Sequence, residues 1–222
     1  YGTLLTVAGL ANVCTAMIGS SLNNIRLIED SHYKEQGLLG DFNFLCLLGS
    51  GVSVVFAAVL RRMFALSPLT AVLLGAYLIV SNLYQYATAF FRLELNFKRT
   101  FLCNTVVSAA YCAAALVFAT AELWPAVFLM GEGAGLLFVW KTTPFSSEPL
   151  SRTPLFSATA VSLLTYMGIN LIGNLLTYAD RMILYPILGG EGVSYYATAS
   201  FFGKSAGIVM VPIAGVLLGY FA

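Results

Sequence analysis

The sequence predicts an all-α integral membrane protein, and three observations carry that prediction. Of its 222 residues, 59% are hydrophobic and only 9% charged, where soluble domains carry about 25% charged residues. Its mean hydropathy is +0.85. The apolar residues gather into runs of the length, about 20 residues, that a helix needs to cross a bilayer core. Seven such runs occur, at roughly 2 to 25, 41 to 60, 68 to 91, 100 to 120, 123 to 140, 154 to 185 and 193 to 221, so seven transmembrane helices are expected.

Several segments are punctuated as helices. Asp41, Ser67 and Thr153 stand where N-caps belong, and Pro68 and Pro154 fall in the first turn, where a missing N–H costs nothing. Trp124 and Trp140 bracket the fifth segment in the manner of an interfacial belt. The connectors then set the orientation. Arg26 and Lys34, then Arg92, Lys98 and Arg99, then Lys141 and Arg152 fall on one side, seven cations in all, against Arg61, Arg62 and at most Arg181 on the other. By the positive-inside rule the first side is cytoplasmic. The first helix therefore begins outside. No signal peptide opens the chain at Tyr1, so a preceding helix is expected, making these seven numbers two to eight of a longer protein.

The formal net charge of +1 leaves no basic surplus for nucleic acid. Cys14, Cys46, Cys103 and Cys112 lie in apolar segments without metal-binding spacing and read as buried packing residues. His32 lies in a polar connector and reads as solvated.

Charge inside an apolar bundle costs several kcal/mol unless contacts or water offset it, so an intramembrane ionisable group invites a functional reading. Residues 166 to 204 concentrate such groups. At about 100° per residue, Tyr166, Asn170, Asn174, Thr177 and Arg181 form a stripe roughly 80° wide, with Val161, Leu164, Ile169 and Ile172 on the other faces. Asp180, beside Arg181, can orient the guanidinium; in the competing reading the two mark a helix end, since Pro186 and Gly189-Gly190 follow. Lys204 falls about 13 Å into the bilayer if its helix enters near Tyr195, and either faces a pathway or snorkels. Glu132 is central in its segment, between Gly131 and Gly133. A carboxyl there favours its neutral form and suits ion coupling; in the alternative it packs against a neighbour through the Gly131-x-x-x-Gly135 surface. Gly203 with Gly207 and Gly215 with Gly219 repeat that spacing around Pro212.

The opening YGTLLTVAGLANVCTAMIGSSLNNIRLIED, the DFN that starts the second segment and, above all, NLIGNLLTYADRMILYPILGGEGVSYYATASFFGKSAG resemble the polysaccharide biosynthesis, or O-antigen (Wzx-like), flippase family. That family belongs to the multidrug/oligosaccharidyl-lipid/polysaccharide exporter superfamily. The resemblance implies a 12- or 14-helix fold of two lobes around a central cavity. Residues 1 to 141 would be most of the first lobe, 142 to 153 a cytoplasmic connector and 154 to 222 the start of the second lobe. It further implies a multi-pass protein of the bacterial cytoplasmic (inner) membrane. No enzymatic activity, cofactor or metal is expected of it. By alternating access it would move a polyprenyl-phosphate-linked saccharide, alongside membrane lipids and the polysaccharide assembly machinery. Such cargo calls for cations facing phosphate and amides facing sugar. The candidates are Arg26, Arg181 and Lys204, with Asp180 beside them, and Asn12, Asn23, Asn24, Asn82, Gln85, Asn104, Asn170 and Asn174; Glu132 is the ion-coupling candidate. A cation-coupled multidrug antiporter of the same superfamily and an integral-membrane polysaccharide polymerase or ligase remain as alternatives. The short outer connectors speak against the latter.

Overall fold

The computed structural model describes residues 2–118 and 122–221, the side chains of 2, 146, 175–182, 190, 197 and 201–221 excepted. The described residues are helical, with no strand among them. In order they form α1 (Gly2–Thr15), a π-helical turn (Ala16–Ser20), α2 (Ser21–Glu35), α3 (Asp41–Phe64), α4 (Pro68–Ala87), α5 (Ala89–Leu93), α6 (Phe97–Phe118), α7 (Trp124–Thr142), a 3₁₀ turn (Pro144–Ser147) and α8 (Phe156–Phe221).

Five helices among the described residues are long and apolar enough to cross a membrane: Thr3–Glu35, Asp41–Phe64, Pro68–Leu93, Phe97–Phe118 and Phe156–Asn174. This is a chain of several apolar, membrane-length helices. The fifth expected segment is α7, which carries Glu132 and Lys141 and falls outside that set. The seventh lies within α8, and its side chains from 201 onward lie outside the described residues.

Where the boundaries differ, side-chain chemistry explains the difference. The first helix runs to Glu35 rather than 25, because Arg26, Asp30 and Lys34 stand four residues apart and pair, Nε to Oδ1 at 3.3 Å and Nζ to Oδ2 at 2.6 Å. His32 is thereby on a helix, 3.1 Å from Gln36. No loop separates the last two expected segments. Helical geometry continues through Pro186 and departs only at Gly189, whose φ of 67° and ψ of −175° suit a residue without Cβ.

Ser67 caps α4 as expected, accepting from the Thr70 N–H at 3.2 Å. Asp41 does not cap α3. Its carboxylate instead accepts from Tyr33 Oη at 2.7 Å, from the Thr153 N–H at 2.8 Å and from the Thr153 hydroxyl, so it fastens the 142–153 connector to α2 and α3. The aromatic belt is reduced to Trp140, 53% exposed; Trp124 is buried against Phe128. Cys14, Cys46 and Cys103 are buried, whereas Cys112 is exposed.

α4 is the hub, touching α1, the π-turn, α2, α3 and α7. α6 packs on the far side of α7, and α8 packs on α1, α2 and the π-turn. The tight α6–α7–α4 contact depends on Gly131 and Gly135: a Cβ at either would strike Tyr111 or the Val107 and Tyr84 side chains. On α8, Val161, Leu164, Ile169 and Ile172 are exposed, while Tyr166 and Met167 pack against the core.

The basic connectors meet at one end of the bundle. There Arg26 bonds Glu148, Arg92 bonds Asn23, Arg99 donates to the Thr142 carbonyl at 3.0 Å, and Arg152 stacks over Phe44 and Phe156. Thr3 meets Tyr185 at the opposite end, where Tyr185 also stacks on Phe64.

Candidate functional site

Two breaks in helical hydrogen bonding organise the polar interior. The first is the π-turn at Ala16–Ser20, a geometry that recurs at functional sites because it disturbs the i→i−4 ladder. Amides from two other helices answer it. The Gly19 N–H donates to Asn82 Oδ1 at 3.0 Å, and Asn170 Nδ2 reaches the Ala16 carbonyl at 3.4 Å and Ser21 Oγ at 2.8 Å. Asn82 is wholly buried and donates its Nδ2 to Ser53 Oγ at 2.7 Å. α4 comes this close because Gly19 has no side chain: a Cβ there would lie 2.9 Å from Gln85 Cβ. Asn82 and Asn170 thus clamp a distorted helix. Asn174 donates to its own helix, at the Asn170 carbonyl.

The second break is at Thr88, between α4 and α5. Asn23 Nδ2 bonds the Gln85 carbonyl there at 2.7 Å and Thr88 Oγ1 at 3.1 Å. Holding that side chain turns Asn23 Oδ1 toward Arg92, whose Nη1 donates to it at 2.8 Å; Asn24 Oδ1 lies 3.5 Å from the same nitrogen. Ser20 Oγ donates to Gln85 Oε1 at 2.6 Å. These groups line a cavity of about 470 Å³ between α2, α4, α5 and α6, completed by Tyr84, Thr100 and Asn104. Four expected amides, Asn23, Asn24, Gln85 and Asn104, therefore meet in one place.

The two arginines near this end are electrostatically opposite. Arg26 is buried and neutralised: Nη1 and Nη2 grip the Glu148 carboxylate at 3.0 and 2.6 Å, Asp30 approaches Nε, and the rings of Phe42 and Phe90 lie at 4.8 and 5.4 Å. It locks α2 to the connector and does not line the cavity. Arg92 is partly exposed to the cavity, and among the described residues no carboxylate pairs with it. Its partners are amide oxygens, which orient a guanidinium without cancelling its charge. The cavity is consequently a cationic, amide-lined recess suited to an anion that carries hydroxyls.

Arg92 was legible only as a topology marker in the connector pattern. The missed signal is its register: Ser81, Gln85, Thr88 and Arg92 stand at i, i+4, i+7 and i+11, one polar stripe along α4 and α5. Glu132 lies elsewhere, on α7, accepting from Tyr111 Oη at 3.1 Å. The Asn12 side chain is exposed, and its carbonyl accepts from Thr15. The side chains of Asp180, Arg181 and Lys204 lie outside the described residues. No group of three or more His, Cys, Asp or Glu side chains is placed to hold a metal among the described residues.

No protein-family model, curated protein or solved structure matches this chain.

Proposed function

We propose that the chain is part of a transporter that moves a polyprenyl-phosphate-linked saccharide across the bacterial cytoplasmic membrane by alternating access. The observation that carries this reading is the cavity around Arg92: a guanidinium with no carboxylate partner among the described residues, set with four side-chain amides in a bundle of membrane-length helices. A phosphate accepts the planar N–H fork of arginine, and the amides and hydroxyls of Asn23, Asn24, Thr100 and Asn104 match sugar hydroxyls. A lipid-linked saccharide combines both with an apolar tail. The basic end of the bundle is then the cytoplasmic end, so the cavity lies where a precursor made in the cytoplasm would enter. The resemblance in residues 1 to 30 and 170 to 207 supports the same assignment, with 1 to 141 as most of one lobe and the segment from 154 opening another.

Complementation tests it. In a strain lacking its lipid-linked saccharide flippase, the complete protein should restore surface polysaccharide, and Arg92→Ala at normal membrane abundance should abolish restoration. Failure in such strains alongside restored drug resistance in an efflux-deficient strain would replace this reading with the antiporter.

A further inference from the structure

Glu132 is the one carboxyl of α7, and the side chains that interact with it directly, Tyr111 and Ser81, are hydroxyls. Oε1 accepts from Tyr111 Oη on α6 at 3.1 Å, while Oε2 is shielded from solvent and has no hydrogen-bond partner among the described residues. From α4, Ser81 faces the carboxyl and Tyr84 lies close to it; Tyr77 lies beside Tyr111, and Cys103 of α6 contacts Tyr84 and the Gly135 carbonyl. No cation faces it among these groups. A shielded carboxylate with one donor leaves an oxygen uncompensated, and burial of such a charge is costly. A proton needs only one oxygen, the unpartnered Oε2.

The second observation is where Ser81 leads. Gln85, one turn along the same face of α4, has its Nε2 3.4 Å from Ser81 Oγ, and its Oε1 accepts from Ser20 at the wall of the Arg92 cavity. Polar side chains therefore follow one another from the cavity toward the buried acid: Ser20, Gln85 and Ser81 in hydrogen-bond contact, then Glu132, which Ser81 faces without a hydrogen bond.

We infer that Glu132 is a proton-binding site linked to the Arg92 cavity through Ser81 and Gln85, an inference that rests on the transport reading for its purpose. The step balances simply: hydronium transfers its proton to Oε2, an O–H bond forms, and water leaves. A hydroxyl both donates and accepts, so the Ser81 rotor distinguishes the two states. With the carboxylate charged, a small rotation brings the Ser81 O–H onto Oε2, the oxygen left without a partner among the described residues. Facing the protonated acid it must accept instead, and its own O–H turns toward Gln85, whose amide then presents oxygen rather than nitrogen. That reorientation ends at Ser20 and alters the cavity wall, so the proton and an anion in the cavity sense one another.

The test is difference infrared spectroscopy of the complete protein in lipid nanodiscs, stepped between about pH 5 and about pH 9, a range that includes perturbed buried carboxyls. A protonated-acid carbonyl band should titrate in the wild type and be absent from the near-isosteric Glu132→Gln. Its midpoint should move by about one pH unit in Ser81→Ala, and also on adding farnesyl phosphate as an anionic probe. A wild type in which no such band is lost with Glu132→Gln, or a midpoint indifferent to Ser81→Ala, overturns the proposal. A midpoint that responds to Ser81→Ala but not to farnesyl phosphate, with no binding of that probe, keeps the proton site and removes the saccharide-lipid reading. Elution and melting of each variant confirm that it is folded.

Discussion

The Arg26–Glu148 pair makes the sharpest quantitative prediction. Both side chains are nearly sealed, at 5% and 8% exposure, and the bidentate contact joins residues 122 positions apart. Removing one partner strands a buried charge, a loss of about 3–5 kcal/mol in buried pairs. Asp30 would still hold Lys34 at 2.6 Å, so most of the stranded charge in Arg26→Met is that of Glu148. Arg26→Met and Glu148→Leu are each expected to destabilise by about 3 kcal/mol or more. The double variant, in which an apolar pair fills the space between Phe42 and Phe90, should recover most of that loss. Equilibrium unfolding of the complete protein in detergent, followed by helical circular dichroism, reads all three. Single losses below about 1 kcal/mol, the range of exposed pairs, would refute the buried lock. So would a double variant whose loss equals the sum of the singles.

Other predictions follow from the polar clamps and the close contacts. Asn82→Ala strands the Gly19 N–H and the Ser53 hydroxyl and should lower stability by about 1–3 kcal/mol in the same unfolding assay. Gly19→Ala places a carbon 3.0 Å from Asn82 Cα and should cost a similar amount, about 1–3 kcal/mol, because the α4 backbone must give way. Gly131→Leu drives a side chain into the Tyr111 ring and should part α6 from α7, raising the labelling rate of Cys103, now buried, by a membrane-permeant thiol reagent. Asn23→Asp sets a carboxylate where Arg92 now meets an amide oxygen at 2.8 Å; anion binding to the cavity, read by calorimetry, should weaken at least about tenfold, the equivalent of about 1.4 kcal/mol.

The helical class, the order of the segments and the gathering of basic connectors at one end were legible because hydropathy and Lys/Arg placement are local properties of the chain. Ser67, the apolar faces of α8 and the packing role of Gly131 with Gly135 were legible for the same reason. What escaped depends on partners distant in sequence. Arg26 is a lock only because Glu148 arrives 122 residues later, and Asp41 fails to cap α3 only because Tyr33 and Thr153 claim its carboxylate. The amides split likewise: Asn82 and Asn170 face the π-turn, whereas Asn23, Asn24, Gln85 and Asn104 line the cavity, a division that composition cannot express. Arg92 escaped because a cation near a helix end serves topology and binding equally well. What separates it from Arg26 is its partial exposure and, among the described residues, the lack of a carboxylate partner.

Calorimetric titration of the complete protein in nanodiscs with farnesyl phosphate, comparing the wild type with Arg92→Gln and with Lys98→Gln, tests the central claim most directly. Loss of a charge-assisted contact worth about 1.5–3 kcal/mol predicts affinity at least about tenfold weaker for Arg92→Gln. Lys98 does not line the cavity, so its variant should bind as the wild type does. Equal affinity in all three proteins, or an equal loss in both variants, would contradict the assignment of the Arg92 cavity as the anion site.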